Sequence, residues 1–338
     1  MRRLVTLLTG GALAVTALAV ASPAEAAPPA DNRGAEHRRI VDYWTPERVA
    51  AAQPADRVVD TKGRTAPAAR GGGGTKGKPG GGGGDSGGGG STTSVLGASW
   101  TGGGVVLKTT GKVLFSLRSG DYVCSASLVN DGVSGRSVAA TAGHCVYDER
   151  YGEFATNWMF VPAFDSAPTF NCASTAFGCW TASALVTTTA WSGGDFNGDI
   201  AFAVLGAGGK SGGQADVVVG SQAIAFNTVH PTFVYAFGYP AEGKYTGSDL
   251  VYCAGTDSAD RYSSGSTTYG VSCSLNGGSS GGPWFRDFNT SAGTGTVTSV
   301  NSYTYRGVKN RMFGPYLGSL AQTTFTKATT ATGNLLVG

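Results

Sequence analysis

The chain has 338 residues, enough for one large domain or two small ones. Its formal net charge of +3 comes from the first 100 residues, which carry 12 basic and 8 acidic side chains. The remaining residues carry 13 and 14, so they offer no basic surface of the kind that nucleic acids or anionic membranes bind. We expect no nucleic-acid partner, and we expect a monomer.

The first predicted element is a secretory signal peptide over residues 1–26. Arg2 and Arg3 precede an uncharged, mostly apolar run, and Ala24-Glu25-Ala26 offers a small-x-small cleavage site. The run is too short for a membrane span, and no later stretch is long and apolar enough for one. The sequence therefore predicts a secreted, extracellular protein that has no membrane contact after signal cleavage.

Residues 27–70 are rich in proline, alanine and charged side chains. We interpret them as a pro-segment, with a disordered spacer as the alternative. Thr45 is a capping residue, Pro46 stands at the first helical position and good helix formers follow, so a short helix is expected here. In residues 71–90, 14 of 20 residues are glycine, and such a stretch cannot offset its ordering entropy. Residues 71–91 are therefore predicted to be a flexible linker.

The sequence changes character in residues 92–338, which we interpret as one functional domain. Short apolar runs rich in Val, Thr, Phe and Tyr alternate with turn residues, which is typical of an all-β sandwich or barrel. A helix is expected only over residues 315–326. The predicted strands span residues 112–117, 122–129, 137–141, 157–162, 183–187, 199–205, 222–226, 233–237, 295–301 and 311–314.

All six cysteines lie in this domain, and an even number in an exported chain indicates disulfides. Six cysteines can pair in many ways, and the sequence alone does not fix the pairing. The simplest set is sequential: Cys124–Cys145, Cys172–Cys179 and Cys253–Cys273.

Three strings carry side chains suited to nucleophilic catalysis. A serine hydroxyl is a poor nucleophile until an imidazole accepts its proton, and that imidazole must be oriented by a carboxylate. We therefore predict Ser280 as nucleophile, His144 as base and Asp199 as the orienting carboxylate. Asp195 is the alternative candidate for that carboxylate. The N–H groups of Gly278 and Ser280 are predicted to form an oxyanion hole. The strings are Thr141-Ala142-Gly143-His144-Cys145, Asn197-Gly198-Asp199-Ile200 and Gly278-Ser279-Ser280-Gly281-Gly282-Pro283.

Each string also has a simpler interpretation. A lone histidine is more often structural, and His37 and His230 are interpreted that way. The run from Asp195 to Asp199 resembles the start of a calcium-binding loop, but Ile200 stands where that loop needs a glycine. The string around Ser280 is, alone, compatible with a glycine-rich turn. The order of all three strings favours catalysis.

Over residues 100–338 these motifs resemble the chymotrypsin-like serine peptidases. Gly238-Tyr239-Pro240, with the stretch from Tyr43 to Arg48, resembles a secreted bacterial branch related to the glutamyl endopeptidases. The resemblance implies two six-stranded antiparallel β-barrels, with the triad in the cleft between them and a short C-terminal helix.

The resemblance also implies a substrate pocket at Ser274, Thr298, Ser299 and Asn301. The strand from Thr298 to Asn301 falls where such enzymes keep a serine near the catalytic carboxylate and a backbone rail for substrate. Residues 262–285 contain no acid to pair with Arg or Lys, and Thr298 stands where glutamyl enzymes typically use histidine. We therefore expect an uncharged residue in the primary pocket.

These observations predict a secreted serine endopeptidase that acts on proteins or peptides through an acyl-enzyme, with no metal or other cofactor. The alternative is a catalytically inactive, protease-like binding or cell-surface module, whose usual mark is the loss of a triad residue. We expect removal of residues 27 to about 95 to activate a zymogen, because the leader helix covers the cleft. Ser279 replaces an aspartate that pairs with the new N-terminus in many relatives, so starts between Ser94 and Gly111 are predicted to be equally active.

Overall fold

The computed structural model describes residues 30–60, 65–66, 93–164 and 170–338. The predicted signal peptide and the glycine-rich linker lie outside these residues. The helix expected after Thr45 is present, and the Thr45 hydroxyl accepts a hydrogen bond from the Arg48 N–H at 3.3 Å. None of the helices in these ranges is long and apolar enough to span a membrane. The elements of the leader are α1 (Ala30–Tyr43), α2 (Pro46–Ala51), β1 (Gln53–Pro54), β2 (Val58–Val59) and β3 (Thr65–Ala66).

The first barrel forms from strands between residues 110 and 205. Its antiparallel strands are hydrogen-bonded in the order β6-β5-β10-β11-β12-β7, and β7 pairs back with β6 to close it. The strands β8 and β9 form a separate hairpin. The elements of this region are β4 (Val95–Ser99), α3 (Gly104–Thr109), β5 (Thr110–Leu117), β6 (Gly120–Val129), β7 (Ser137–Thr141), β8 (Tyr147–Asp148), β9 (Glu153–Phe154), β10 (Thr156–Pro162), β11 (Trp180–Thr188), α4 (Thr189–Ser192) and β12 (Ala201–Leu205).

The second barrel is built from a six-stranded sheet, β13-β19-β18-β14-β15-β4, and a three-stranded sheet, β16-β17-β21. Two links join the sheets: Cys253 of β15 is disulfide-bonded to Cys273 after β17, and residues 302–303 after β19 hydrogen-bond to Phe313 of β21. The elements are α5 (Ala215–Val219), β13 (Ala223–Ile224), β14 (Phe233–Gly238), β15 (Val251–Thr256), β16 (Ser258–Ala259), β17 (Tyr269–Ser272), β18 (Pro283–Asn289), β19 (Thr294–Val300), β20 (Thr304–Tyr305), β21 (Arg311–Gly314), α6 (Ser319–Ala328) and β22 (Leu335–Val337).

Large apolar side chains on the strands of both barrels are completely buried. Phe115, Phe160 and Phe202 are fully buried in the first barrel, and Phe237 and Phe285 in the second. Burying one such ring contributes roughly 1.5–3 kcal/mol relative to leaving it exposed. The chymotrypsin-like architecture expected from the sequence is therefore the one present.

Three disulfides add to this packing, and they pair the cysteines sequentially. Cys124 in β6 is bonded to Cys145, which directly follows His144. A loop of this size contributes about 3 kcal/mol when closed by a disulfide. The bond ties the histidine-bearing turn to the wall of the first barrel.

Candidate active site

The pairing of β7 with β12 brings His144 and Asp199 together. Thr141 ends β7 and lies opposite Ala201 at the start of β12, because the two strands are antiparallel. His144 lies in a 3₁₀ turn just after β7, and Asp199 lies just before β12. Two residues 55 positions apart in sequence therefore meet at one end of the first barrel.

The contact between them is direct and buried. His144 Nδ1 lies 2.8 Å from Asp199 Oδ2, and the His144 backbone N–H donates to Oδ1 at 2.9 Å. Both side chains are 0% exposed. With Nδ1 carrying the proton toward Asp199, Nε2 is free to accept one.

A third side chain completes the environment of Asp199. The Ser302 hydroxyl donates to Asp199 Oδ2. Burial alone would raise the pKa of Asp199, but the contacts with His144 and Ser302 outweigh it and hold that pKa below the usual value. The carboxylate is therefore stabilised in its charged form.

Ser280 lies in the loop before β18 of the second barrel, and this loop is bonded to the first barrel. The Ser125 N–H donates to the Ser280 carbonyl at 2.7 Å, and the Ser125 hydroxyl donates to the Gly278 carbonyl at 2.9 Å. A Cβ on Gly281 would overlap the Thr141 hydroxyl on the strand that leads to His144. The nucleophile loop therefore lies against the histidine-bearing end of β7.

The same loop has the conformation that an oxyanion hole needs. Gly278 has φ +91, which favours glycine, and a Cβ there would lie 2.7 Å from the Tyr239 carbonyl. Within the described ranges, the N–H groups of Gly278 and Ser280 donate to no protein acceptor. These two donors therefore remain available to bind a substrate oxygen.

The last contact of the triad is not made in this structure. His144 Nε2 is buried and has no hydrogen-bond partner among the residues that the structure describes. Catalytic hydrogen bonds are often long in proteins without substrate and shorten only when it binds. The unpartnered Nε2 is the acceptor that a serine proton would need.

Three of the four predicted pocket residues do not line a pocket. Thr298, Ser299 and Asn301 are each at most 2% exposed. Ser299 donates to the Pro315 carbonyl, and the Asn301 amide donates to the carbonyls of residues 237 and 279. Their burial leaves no surface for a substrate side chain. The serine that donates to Asp199 is Ser302, and the backbone after it pairs with the leader at Thr304 and Tyr305; we call residues 303–305 the rail.

The fourth predicted pocket residue, Ser274, is partly exposed. Its hydroxyl is 2.9 Å from the Tyr245 hydroxyl, and its N–H donates to the Leu96 carbonyl of β4. Glu242, on the loop after β14, lies outside the stretch 262–285 that contains no acid, but the fold places it near the Ser280 loop. The Glu242 carbonyl accepts a hydrogen bond from Asn276, four residues before the nucleophile.

The rail is held by a buried acid. The hydroxyls of Tyr303 and Tyr305 both donate to Asp260 Oδ2, at 3.0 and 2.7 Å. Between them, the Thr304 N–H donates to the carbonyl of Arg57 in the leader. A cavity of about 190 Å³ beside the rail is lined by Tyr303, Tyr305 and, on the first barrel, Phe196.

The leader crosses the cleft from one barrel to the other, although its helices do not. α1 packs on β10 and β11 outside the first barrel, with Ile40 and Trp44 buried. The chain then pairs in parallel with β6 through β1 and with β20 through β2. Asp56, between these strands, lies so close to Gly277 that a Cβ on that glycine would overlap its carboxylate. The cover expected from the leader helix is therefore provided by residues 53–59.

The remaining candidates have structural roles. Asp195 accepts a hydrogen bond from the Asn197 N–H and caps a short turn. His37 hydrogen-bonds Thr181, and His230 lies 2.6 Å from Asp257, away from the triad. Potential metal ligands cluster in the described residues only where His144 meets Cys124 and Cys145, whose sulfurs form a disulfide.

Solved structures resemble this fold and chain. A thermostable serine protease, AL20, from an extremophilic microorganism is 42% identical; the match covers 67% of this chain and 99% of that one, with a TM-score of 0.60. The protease Anisep from Arthrobacter nicotinovorans is 38% identical, with 67% and 98% covered and a TM-score of 0.60. A Glu endopeptidase at 13% identity shares the fold, with 70% and 97% covered and a TM-score of 0.51.

No protein-family model and no curated protein sequence matches the chain. The two proteases of 42% and 38% identity are matched over nearly their whole length. The chain belongs to the chymotrypsin-like serine peptidases.

Proposed function

We propose that the chain is a secreted serine endopeptidase that cleaves peptide bonds with Ser280, His144 and Asp199. The observation that carries this proposal is the buried His144–Asp199–Ser302 chain of hydrogen bonds, which leaves Nε2 unpartnered beside the nucleophile loop. An inactive binding module has no need for this arrangement of buried polar groups. Three disulfides favour an oxidising, extracellular location.

The geometry supports a two-step acyl transfer. The Ser280 hydroxyl attacks the peptide carbonyl while His144 Nε2 accepts its proton, and the N–H groups of Gly278 and Ser280 bind the developing oxyanion. One such donor contributes about 3 kcal/mol in the transition state. His144 then protonates the leaving amine, and water releases the acyl group by the same steps in reverse. Asp199 holds the imidazole in its productive tautomer and stabilises the imidazolium.

The path of the leader favours an endopeptidase. Residues 53–59 enter the cleft along β6 and leave it along β20, so an extended chain can pass through with both ends outside. Protein and peptide substrates fit such a cleft. The uncharged preference expected for the primary pocket at Ser274 remains part of the proposal.

We also infer that residues 27–70 are a pro-segment that keeps the enzyme inactive. β1 and β2 occupy main-chain positions that an extended substrate would need, and Val59 is buried, 4% exposed, against Tyr303, Tyr305 and Phe313. Cleavage in residues 71–91 would let the leader dissociate from the peptidase domain, 92–338. A signal peptide at residues 1–26 would direct export.

A fluorophosphonate probe tests the activity directly. The full chain, with a cleavage site inserted in residues 71–90, is cut and separated from its leader. We expect the probe to label this protein, and Ser280→Ala to abolish labelling and lower peptide turnover by at least a thousandfold. Ser279→Ala, which removes the neighbouring hydroxyl, is the matched control and retains labelling. Undiminished turnover by Ser280→Ala would contradict the proposal, and a protein that never labels would be the inactive module.

A further inference from the structure

Arg57 of the leader lies in a defined site on the peptidase domain. Its Nη2 is 2.9 Å from Glu149 Oε2, and its guanidinium carbon is 5.6 Å from the centre of the Trp191 ring. The two charged side chains are only 15% and 13% exposed. A cation placed between a carboxylate and an aromatic face, partly shielded from water, is bound more strongly than a surface ion pair.

The site is built by the peptidase domain and not by the leader. Glu149 directly follows β8 in a hairpin, and Trp191 lies in α4, fully buried, with its indole N–H donating to the Tyr147 carbonyl at 3.1 Å. The adjacent Arg150 points its guanidinium at Asp148, with contacts of 3.0 Å. In the described part of the chain, Arg57 is thus the cation that pairs with Glu149.

This site adjoins the His144 imidazole. The Trp191 ring contacts the His144 imidazole edge to face, with 5.9 Å between ring centres. Arg57 also accepts a hydrogen bond through its carbonyl from Thr304 on the rail, at 3.0 Å. A residue with its main chain on the rail can therefore reach Glu149 with its side chain.

We propose that Glu149 and Trp191 form a cation subsite beside the catalytic imidazole. Arg57 fills it in the uncut chain, and an arginine or lysine side chain of a peptide substrate fills it once the leader has gone. The inference rests on the proposed peptidase activity and adds a substrate class to it. One nitrogen–oxygen contact and one ring contact require a positive charge but no two-pronged guanidinium, so lysine also fits.

The first test compares substrates on the protein freed of its leader. Peptides carry arginine, or neutral citrulline of the same shape, at each position within three residues of the scissile bond. We expect kcat/KM to favour arginine about tenfold at one position, the effect of a charge-assisted hydrogen bond. Glu149→Gln should reduce that ratio to about one. Glu153→Gln, which removes an exposed carboxylate paired with Arg118 nearby, should leave the ratio intact.

The second test needs no turnover, so it remains informative if the protein proves inactive. Synthetic leader peptide 46–60, with arginine or citrulline at position 57, is titrated into the same proteins by calorimetry. Citrulline should weaken binding about tenfold to the wild-type protein and not at all to Glu149→Gln.

Any of three outcomes would overturn the proposal. No arginine preference at any position, or a preference that survives Glu149→Gln, would remove the substrate subsite even if the leader uses it. Equal affinity of the two leader peptides for the wild-type protein would show that the Arg57 contact has no energetic weight.

Discussion

At the scale of single residues, the Ser302 hydroxyl completes the hydrogen bonding of the buried Asp199 carboxylate. A fully buried carboxylate costs free energy unless each oxygen is bonded. Asp199 Oδ1 is bound by the His144 N–H, while Oδ2 is shared by the imidazole and the Ser302 hydroxyl. Ser302 is therefore a positioning residue that acts on His144 through Asp199.

Replacing Ser302 by alanine should lower kcat about tenfold with little change in KM, since one hydrogen bond to a buried charge is lost.

The folded-state pKa of Asp199 lies below its unfolded value, so its ionisation stabilises the fold above the unfolded pKa. This stabilisation is lost as pH falls through the folded pKa. Ser302→Ala should raise the folded-state pKa of Asp199, so that this stabilisation is smaller and its loss is complete at a higher pH. Acid unfolding and kinetics measure both effects.

Ser299→Ala is the matched control for this prediction. It removes a buried hydroxyl from the same strand region, one bonded only to the Pro315 carbonyl. We expect it to change stability and to leave kcat as in the wild type. Ser302→Thr, which keeps the hydroxyl, should recover part of the rate. Equal kinetic effects of the two alanine variants would argue against a positioning role for Ser302.

The three residues of the proposed triad could be predicted from the sequence because each lies in a short, distinctive string. Ser302 was not, because residues 298–302 contain three hydroxyl side chains and the sequence cannot say which of them faces Asp199. That choice depends on where β19 ends and turns, at Val300. Glu242, Glu149 and Trp191 belong to segments far from Ser280 in sequence, so only the fold brings them near the proposed active site.

At the scale of elements, the first barrel was more predictable than the second. The strands β5, β6, β7, β10 and β12 are long apolar runs bounded by turn residues, and their expected bounds lie within two residues of those observed. β18 was missed because it begins with Pro283 and carries Arg286 and Asp287. β4 was missed because its Val-Leu-Gly-Ala-Ser sequence resembles the end of a linker. Such segments become strands through their partners more than through their own composition.

Between the leader strands β1 and β2 lies a carboxyl group, that of Asp56, which couples leader docking to pH. Burial, and then the neighbouring Glu242, raise the pKa of Asp56 well above its usual range, against a smaller opposing effect of the Gly277 backbone and Arg57. A raised pKa means that docking favours the protonated acid. Its contribution is fully present below the pKa of the free leader, about 3.9. It is lost as the pH rises through the docked pKa.

We therefore expect leader affinity to fall as pH rises above about 4, and Asp56→Asn to flatten that dependence. Asparagine keeps the shape and removes the charge that opposes Glu242. The inhibition constant of leader peptide 46–66, measured at several pH values up to 8 against the cut protein, provides the test. Asp42→Asn, on the exposed face of α1, is the control in a longer leader peptide. A wild-type affinity independent of pH would contradict this coupling.

At the scale of the whole molecule, the range of mature N-termini predicted to be equally active, Ser94 to Gly111, includes residues that belong to the fold of the second barrel. β4 is an edge strand of the second barrel, paired with β15 from Val95 to Ser99. Trp100, the next residue, belongs to an aromatic cluster. The centre of its ring lies 5.4 Å from that of Phe237, 5.3 Å from that of Tyr252 and 5.6 Å from that of Phe288. Residues 95–100 are thus part of the fold, and the mature starts from Ser94 to Gly111 are not structurally equivalent.

The contacts of β4 and Trp100 limit how far the mature N-terminus can move toward Gly111 without loss of stability. A protein cut to begin at Thr93 keeps β4 and Trp100 and should unfold like one that retains more of the linker. A start at Gly102 removes the strand, its hydrogen bonds and the indole, and should lower the free energy of unfolding by about 3 kcal/mol or more. Urea unfolding of both proteins, with kcat measured on each, provides the comparison.

Ser279 is bonded within its own loop, to the Asn276 carbonyl at 2.6 Å, so no charged N-terminus is needed there. Activity should therefore follow stability across start positions, and a sharp optimum at one start residue among equally stable proteins would contradict this view.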